Sequence, residues 1–468
     1  RALPSRTPRE ARSAPPIEAL TGTPRALAEL WRELLGVDAI SPADDFFALG
    51  GHSILAMQLS NQIETRFGVP WSVVGVFRAP ILADMAAAID ELGAHPVSRG
   101  GARASIVRRA DRSVHPLSRN QRYLDLDHPL DVLHYELVGE LDVARLAAAI
   151  DDVLATQEVL RARFTRTGDT LVQTIAPHEP LVLPTLDLSE SSSDARAARI
   201  AELDAEARRP MDLSREPAYR LRLLRTGPRE HLLELAIHHL VFDGMSGAIF
   251  LELVSERYLA RMRGSTEPRP EPPFQYADFA AWQEQFYASP EGQAQLRYWR
   301  EQLAGARALS LSRVTPHAPS PNVVVDWRLG EATFQRVKRF AAAEQVPVSS
   351  VMLAGFFLVL ATRVGFGDIT LNTTHSGRYR AGTERLVGYF AQPWMLRLDM
   401  SRPASFRGLV SHVKRIVAEA QENSDVTPVV LFDNDRIRFN YLPLAPFPES
   451  DELRARIAVA AQEAKPHE

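Results

Sequence analysis

The sequence predicts two kinds of structure in one chain: a small all-α bundle near the N-terminus, followed by a larger α/β region in two lobes. Three apolar stripes with helical spacing lie close together near the N-terminus, and they predict three short helices that pack as a bundle. From about Val114, strand-like runs alternate with amphipathic helices. That region is too long for one compact core, so we expect it to divide into two lobes.

The apolar stripes define the bundle, because each repeats every three or four residues along one helical face. Their members are Leu27, Leu30, Trp31, Leu34 and Leu35 in the first; Leu55, Leu59, Ile63 and Phe67 in the second; and Leu82, Met85, Ala86, Ile89 and Leu92 in the third. We therefore expect these residues to form the core of the bundle.

Composition excludes several classes of function. The 468 residues allow two or three domains, and 45% hydrophobic with 24% charged residues is ordinary for a globular protein. A net charge of -4 does not indicate a surface that binds nucleic acid. No apolar run approaches the roughly 18 residues of a membrane helix. With no cysteine, disulfides, thiolate metal sites and a cysteine nucleophile are excluded. We expect no metal, no nucleic acid and no membrane partner, and a cytoplasmic location.

Changes in composition set the domain boundaries. Two segments mix Pro, Gly, Ser and Arg without periodicity, which is typical of linkers, and Pro-rich loops at 267–273 and 316–321 divide the α/β region. The second loop is a candidate crossing between lobes. The predicted parts are a linker at 1–20, the bundle at 21–93, a linker at 94–113, and the α/β region at 114–468, with lobes at about 114–285 and 286–468. Since the chain begins at Arg1 and shows no signal-peptide pattern, we expect a piece of a longer polypeptide.

A serine at a predicted helix start is the first candidate site. Ser53 follows Gly50-Gly51-His52 and precedes an amphipathic helix. Such a serine is commonly an N-cap, which stabilises a helix by about 1 kcal/mol. The whole segment from Asp44 to Ala56, however, closely resembles the modification site of peptidyl carrier proteins. This resemblance implies that a phosphopantetheinyl transferase attaches 4′-phosphopantetheine to the Ser53 hydroxyl. The thiol of that group then holds an acyl group as a thioester.

A paired histidine is the second candidate site. His231 to Ile237 is predicted as a strand and Ser246 to Ala260 as a helix, so His238 and His239 lie on the turn between them and project into a cleft. A single histidine is usually structural, and no third ligand has the local spacing of a metal site. The pattern His-His-X-X-X-Asp-Gly is nevertheless rare by chance.

This pattern resembles the active site of the condensation domains of nonribosomal peptide synthetases, which are kin to chloramphenicol acetyltransferase. The resemblance implies a two-lobed fold like a pseudo-dimer of that acetyltransferase. Four further segments resemble motifs of the same family: Leu117 to Leu124, Glu158 to Phe164, Tyr276 to Trp282 and, more loosely, Asn423 to Pro428.

The resemblance also implies roles for the site residues. His239 faces the reacting centre, either as a general base for the attacking amine or as a group that orients the amine and stabilises the tetrahedral intermediate. Gly244 and the N–H groups after it could approach that intermediate. Asp243 is either a base itself or the partner of a distant arginine, and Arg363 stands where the family would place that arginine.

At three places the sequence departs from the family pattern. Because of these departures, the sequence does not determine the substrate channel or the contact between lobes. Thr156-Gln157 stands where Arg-His is usual, and Gln392-Pro393 stands where Asn-Thr is usual. The last motif of the family is not visible near Asp433 to Arg436.

The function implied is amide bond formation in nonribosomal peptide synthesis, as in the assembly of antibiotics or siderophores. An aminoacyl or peptidyl thioester on Ser53 would react with an amine on a downstream carrier protein, and an upstream adenylation domain would select the residue loaded. Two alternatives stay open: epimerisation of the carried residue, and a non-catalytic domain that recruits another enzyme. Epimerisation domains usually follow Gly-Gly-Asp-Ser rather than Gly-Gly-His-Ser, and recruitment domains tend to lose the second histidine. The sequence does not identify the residues joined.

Overall fold

The computed structural model divides the chain into two compact units. The first comprises residues 1–100, 329–355 and 403–422, and the second comprises 101–328, 356–402 and 423–468. The residues described within them are 20–37, 39–47, 49–51, 53–69, 71, 73–94, 106–110, 114–168, 170–265, 271–307, 309, 327–401, 405–427, 437–441 and 453–459. The proline-rich loop at 316–321, the segment Asp433 to Arg436 and most of both predicted linkers lie outside these ranges.

Four helices of the first unit form the predicted bundle. They are α1 (Gly22–Leu35), α2 (Ser53–Phe67), α3 (Val73–Arg78) and α4 (Leu82–Ala94). The centre of each predicted stripe is buried, with Trp31, Ile63 and Met85 fully so. Sequence periodicity missed α3, because six residues are too few to show a repeat.

The first unit also contains residues that the sequence analysis assigned to the second lobe. These include α10 (Glu331–Ala343), the first half of α11 (Val348–Val364) and α12 (Phe406–Glu422). α12 buries one apolar face, and Arg407 at its start pairs with Glu344. No single helix among the described residues is long and apolar enough to cross a membrane; α10 and α11 reach that length and apolarity only as a pair bent by 106°.

The two glycines before Ser53 have distinct structural roles. Gly50 has φ +110°, a left-handed conformation that residues with a Cβ rarely adopt. Gly51 lies against Phe46: its N–H donates to the Phe46 carbonyl at 2.9 Å, and a Cβ at position 51 would come within 2.6 Å of that oxygen. Phe46 is fully buried and packs edge-on against Trp31, with ring centroids 5.2 Å apart. The loop that ends at Ser53 is therefore anchored in the bundle core.

Gly51→Ala should destabilise the bundle, because the added methyl group must displace the Phe46 ring or backbone. Overpacking of this kind costs about 1–3 kcal/mol. Thermal unfolding followed by circular dichroism measures the effect. The matched control is Gly93→Ala in α4, where the nearest atom to an added Cβ is 3.9 Å away. An equal fall in melting temperature for both variants would contradict this account.

The described residues of the second unit form three sheets. The largest has the order β11-β2-β7-β6-β5, antiparallel except for the parallel β5–β6 pair, and the smaller sheets have the orders β1-β4-β3 and β10-β8-β9. The strands are β1 (His115–Pro116), β2 (Asp131–Gly139), β3 (Ala162–Thr167), β4 (Thr170–Ile175), β5 (Thr185–Asp187), β6 (Tyr219–Arg225), β7 (Glu230–Ile237), β8 (Asp368–His375), β9 (Gln392–Asp399), β10 (Arg438–Phe439) and β11 (Leu453–Val459). The mixed α/β character predicted for this region is confirmed.

The helices of this unit bury apolar faces. They are α5 (Val143–Thr156), α6 (Ser193–Ala207), α7 (Gly244–Met262), α8 (Tyr276–Ala288) and α9 (Pro290–Leu303), together with the second half of α11. α5 and α7 pack against each other. The predicted helix over Ser246 to Ala260 is confirmed as part of α7, with Ile249, Leu253 and Val254 buried as expected.

A polar cluster ties α6 to the largest sheet. Asp204 of α6 lies 2.9 Å from His134 Nε2, and His134 on β2 pairs in register with Glu234 on β7. Glu234 in turn accepts from Arg222 on β6 at 2.8 Å. His134, Asp204 and Glu234 lie close enough to share a cation, but the Arg222 guanidinium already supplies positive charge to Glu234. The cluster is an ion-paired clamp between helix and sheet.

Candidate active site

A strand, a turn and a helix position the paired histidines, as predicted. β7 ends at Ile237, a 3₁₀ turn covers His239–Val241, and α7 begins at Gly244. Asp131, the first residue of β2, pairs in antiparallel register with Ile237. The start of β2 and the end of β7 therefore lie side by side at the candidate site.

His238 is a structural residue of this turn. Its side chain is buried, with Nδ1 accepting from the Leu240 N–H at 3.1 Å and Nε2 lying 3.2 Å from the Leu126 carbonyl oxygen. A carbonyl only accepts, so the ring proton is on Nε2 and the ring is neutral. Burial lowers the pKa of His238 to about 4, despite the favourable contact with Leu126. This ring holds the turn and presents no free nitrogen to a substrate.

His239 points the other way and is accessible, with 29% of its side chain exposed. Its Nδ1 lies 3.1 Å from the Phe242 carbonyl oxygen, and its Nε2 lies 2.8 Å from Oδ2 of Asp131. Burial lowers the pKa of His239, but the hydrogen bond and charge of Asp131, the Phe242 carbonyl and the charge of Asp243 outweigh it, so the net direction is upward. The accessible histidine therefore favours its charged form.

Two further rings flank His239. The His128 ring centroid lies 5.3 Å from that of His239, and the Tyr389 ring centroid lies 5.8 Å away. Partial burial lowers the pKa of His128, and the charge of His239 lowers it further, while Asp131 and Asp125 act in the opposite direction. The surroundings thus favour the neutral form of His128 and the charged form of His239.

Asp243 forms a buried ion pair. Its two carboxylate oxygens accept from Arg378 Nη1 at 2.8 Å and Nη2 at 3.0 Å, and both side chains are almost completely buried. Oδ1 also accepts from the N–H and hydroxyl of Ser246, and Oδ2 from the N–H groups of Phe390 and Ala391 at 2.9 and 3.0 Å. A carboxylate with so many donors has no free lone pair for an amine proton, so the geometry supports pairing with arginine over action as a base.

The arginine expected to be this partner was misidentified. Arg363 is exposed in the last turn of α11, whereas Arg378 follows the end of β8 and lies completely buried. Arg378 also donates to the carbonyls of Ser376, Leu386 and Gly388 and covers the Phe390 ring at 4.5 Å. One signal for it was present in the sequence: Arg378 comes six residues after the strand-like run Asp368 to Asn372, near the end of a strand. Motif spacing alone favoured Arg363.

Two of the other family-like segments contact the histidine turn or the segment around Tyr389. Gln121 Nε2 donates to the Leu240 carbonyl at 2.7 Å, and Asn120 Nδ2 donates to the carbonyls of Phe390 and Ala391. The Tyr276 hydroxyl lies 2.8 Å from Ser118 Oγ and donates to the Tyr389 carbonyl at 2.7 Å. These residues support the site from behind and do not line it.

The departures from the family pattern also have structural roles. Gln157 Oε1 accepts from the Val387 N–H at 3.0 Å, and its Nε2 donates to the Arg385 carbonyl at 3.2 Å. Gln157 thereby holds the segment that leads to Tyr389. Gln392 is buried at the start of β9, in register with His375.

Comparison with known proteins identifies the class. Residues 132–433 match the condensation domain family, and residues 25–89 match the phosphopantetheine attachment site family. The chain therefore belongs to the condensation domain family and carries a 4′-phosphopantetheine attachment domain ahead of it. The resemblance stated from the motifs is confirmed, and so is the fold class.

Individual relatives place the chain among peptide synthetases. It is 31% identical over 419 residues to the cyclosporin synthetase of Tolypocladium inflatum, a match that covers 86% of this chain but only 3% of that protein. The fold is shared with the X-domain from teicoplanin biosynthesis (TM-score 0.64, 23% identity, 78% of this chain and 86% of the other). It is shared equally with the first condensation domain of the CDA synthetase (TM-score 0.64, 22% identity, 74% and 84%).

Arg378→Ala should destabilise the second unit strongly, because it leaves the Asp243 carboxylate buried without its counter-charge. Breaking a buried pair on one side costs about 3–5 kcal/mol. Arg363→Ala is the matched control, and as a surface change it should alter stability by no more than about 0.5 kcal/mol. Denaturant unfolding measures both, and a larger loss for the Arg363 variant would restore the original assignment.

His238 should make the protein acid-sensitive. An unfolded histidine has a pKa of about 6.5, and the folded value is about 4, so the unfolded chain binds more protons between these limits. The contribution of His238 to stability is complete above about pH 6.5 and is lost as the pH falls towards 4, on the order of 3 kcal/mol in total. Urea unfolding at several pH values should show a shallower loss in His238→Gln, and parallel curves would contradict the neutral buried ring.

Proposed function

We propose that this chain forms an amide bond between an acyl group held on Ser53 and an amine carried by a second protein. The observation that carries the proposal is the accessible His239 imidazole beside the start of α7. Behind it, the buried neighbours His238, Asp243 and Arg378 fix the turn. A thioester is already activated, so such a site needs only to place the amine, stabilise charge on the carbonyl oxygen and move one proton.

Ser53 is the proposed attachment residue. It is the first residue of α2, a helix of 15 residues, and the N-terminus of such a helix favours a phosphate group. Gly50 and Gly51 fold the preceding loop onto the core, which brings the chain to the helix start in one conformation. When attached, 4′-phosphopantetheine supplies a thiol that presents the acyl group as a thioester.

The start of α7 offers the space that the reaction requires. Among the described residues, no atom beyond the chain neighbours of Gly244 would lie within 4 Å of a Cβ at that position, and Gly244 itself is exposed. Because N–H groups at a helix start carry partial positive charge, a carbonyl oxygen beside Gly244 would be stabilised as it becomes negative. The Asp243 side chain caps the same helix through the Ser246 N–H and keeps the turn in place.

Domain order supports a donor role for the carried thioester. In the family that the motifs resemble, a carrier that precedes a condensation domain supplies the electrophile. A downstream carrier then supplies the amine, and an upstream adenylation domain selects the residue loaded. The His in Gly50-Gly51-His52-Ser53 further supports a donor that is not epimerised, either an L residue or glycine.

A recruitment function is the second candidate, because the fold matches the teicoplanin X-domain as well as it matches a condensation domain. His239 favours catalysis over recruitment, since domains of the recruitment kind tend to lack the second histidine. Epimerisation uses the same histidines, and only the reaction product separates it from condensation.

The test supplies the loaded chain with a separate carrier protein that bears an amine. The chain is loaded at Ser53 with an aminoacyl phosphopantetheine by a transferase and mixed with the second carrier, and both proteins are weighed by intact mass spectrometry. We expect the dipeptide on the separate carrier, and a rate at least about a hundredfold lower in His239→Gln with loading unchanged. Ser53→Ala should gain no arm, whereas Ser41→Ala should gain one.

Other outcomes identify the alternatives. A longer chain on Ser53 would reverse donor and acceptor. An inverted α-carbon without a new bond would establish epimerisation. No reaction, with tight binding of another enzyme, would establish recruitment. An arm on the Ser53→Ala variant would show that the attachment residue is wrong.

A further inference from the structure

The two nitrogens of His239 are both engaged, and this fixes where its protons lie. Nδ1 faces the Phe242 carbonyl at 3.1 Å, and because a carbonyl has no proton to give, Nδ1 carries one. Nε2 faces the Asp131 carboxylate at 2.8 Å, so a second proton lies between these two atoms. An ordinary carboxyl group is more acidic than an ordinary imidazolium, so the second proton belongs to the ring. The histidine is thus an imidazolium paired with a carboxylate.

The surrounding charges agree with this assignment. The groups that face His239 are Asp131 from β2, Asp243 at the start of α7, His128 from the loop before β2, His238 from its own turn, and Tyr389. Asp243 is balanced by Arg378, and the pKa values of His128 and His238 are both lowered, chiefly by burial. Asp131 is therefore the group that decides the charge of His239.

We propose that Asp131 is a positioning residue that keeps His239 protonated, so that His239 acts on the thioester as a cation and not as a free base. This inference rests on the proposed function, because the reaction it describes is amide bond formation. The charge state of His239 can nevertheless be measured without that reaction. Asp131 is 26% exposed and His239 is 29% exposed, so both can respond to an arriving substrate. Nothing in the sequence motifs pointed to Asp131.

The proton balance of the reaction is complete when His239 is charged at the moment of attack. An uncharged amine attacks the thioester carbonyl, the C–N bond forms, and the carbonyl π pair moves to oxygen, where the imidazolium stabilises it. The C=O bond then re-forms as the C–S bond breaks, with its electron pair left on sulfur. Nε2 gives its proton to sulfur, and the extra proton on the new amide nitrogen returns to Nε2. One proton has moved from nitrogen to sulfur, and His239 ends as it began.

Asp131→Asn separates this role from a merely structural one. An asparagine fits the same space and donates its amide N–H to Nε2, so the hydrogen bond survives with its direction reversed. A neutral imidazole is then favoured where the wild type favours the cation. Asp127→Asn, which changes an exposed carboxylate four residues earlier in the loop before β2, is the matched control.

Two measurements are made on the full chain and on both variants. The first follows the His239 ring by NMR with ¹³C-labelled histidine, using the signal that is missing in His239→Gln. We expect its titration midpoint above that of free imidazole in the wild type and in Asp127→Asn, and below it in Asp131→Asn. The second measures condensation rates between about pH 5.5 and 8 and takes the ratio of variant to wild type, which cancels ionisation of the amine.

For Asp131→Asn, the ratio of variant to wild-type rate should fall as the pH rises. The total fall should be about tenfold for each pH unit between the His239 titration midpoints of wild type and variant. A midpoint that does not move in Asp131→Asn would overturn the proposal. A ratio above one at neutral pH would also overturn it, because it would show that the neutral ring is the active form. If the midpoints separate as expected but no enzyme forms an amide, the charge assignment stands and the proposed function fails.

Discussion

The buried pair of Asp243 and Arg378 is the interaction on which the candidate site depends. Two charges withdrawn from water are stabilised by close pairing and by hydrogen bonds to their remaining polar atoms, and here these partners come from two distant segments. Asp243 takes N–H groups from Phe390 and Ala391, and Arg378 gives its own to Gly388. The turn that bears the histidines and the segment around Tyr389 are therefore fixed by the same four carboxylate and guanidinium atoms.

The adjacent residues His238 and His239 have different roles in the turn, because one side chain is buried and the other is accessible. His238 satisfies two backbone groups and stays neutral, while His239 is accessible and its surroundings raise its pKa, which favours the charged form. The Phe242 carbonyl fixes one proton on His239 Nδ1, and the Asp131 carboxylate favours a second proton on Nε2. Neither property belongs to histidine as such. Each follows from the direction in which a short 3₁₀ turn points the ring.

Periodicity predicted what is local, and it failed where two distant segments must meet. The helix over Ser246 to Ala260 and the strand that ends at Ile237 were predicted closely, because each depends on its own apolar face. Arg378 was missed because its partner lies 135 residues away and follows a strand of a different sheet, so only the tertiary fold brings the two together. Asp131 was missed for the same reason: its closeness to His239 follows from the β2–β7 register, and an alternating pattern does not reveal which strands are neighbours.

The two carboxylates near His239 show how environment assigns different tasks to one chemical group. Asp243 is buried and accepts hydrogen bonds on both oxygens, so its position is fixed and it stabilises the fold. Asp131 is partly exposed at the start of β2 and shares a proton with the His239 imidazole. Its interaction with His239 can therefore be exchanged for one with a substrate. In this site the buried Asp243–Arg378 pair lies behind the turn, and the partly exposed Asp131–His239 pair lies in front of it. A substrate that contacts the Asp131–His239 pair can therefore change the protonation of His239 without disturbing the fold.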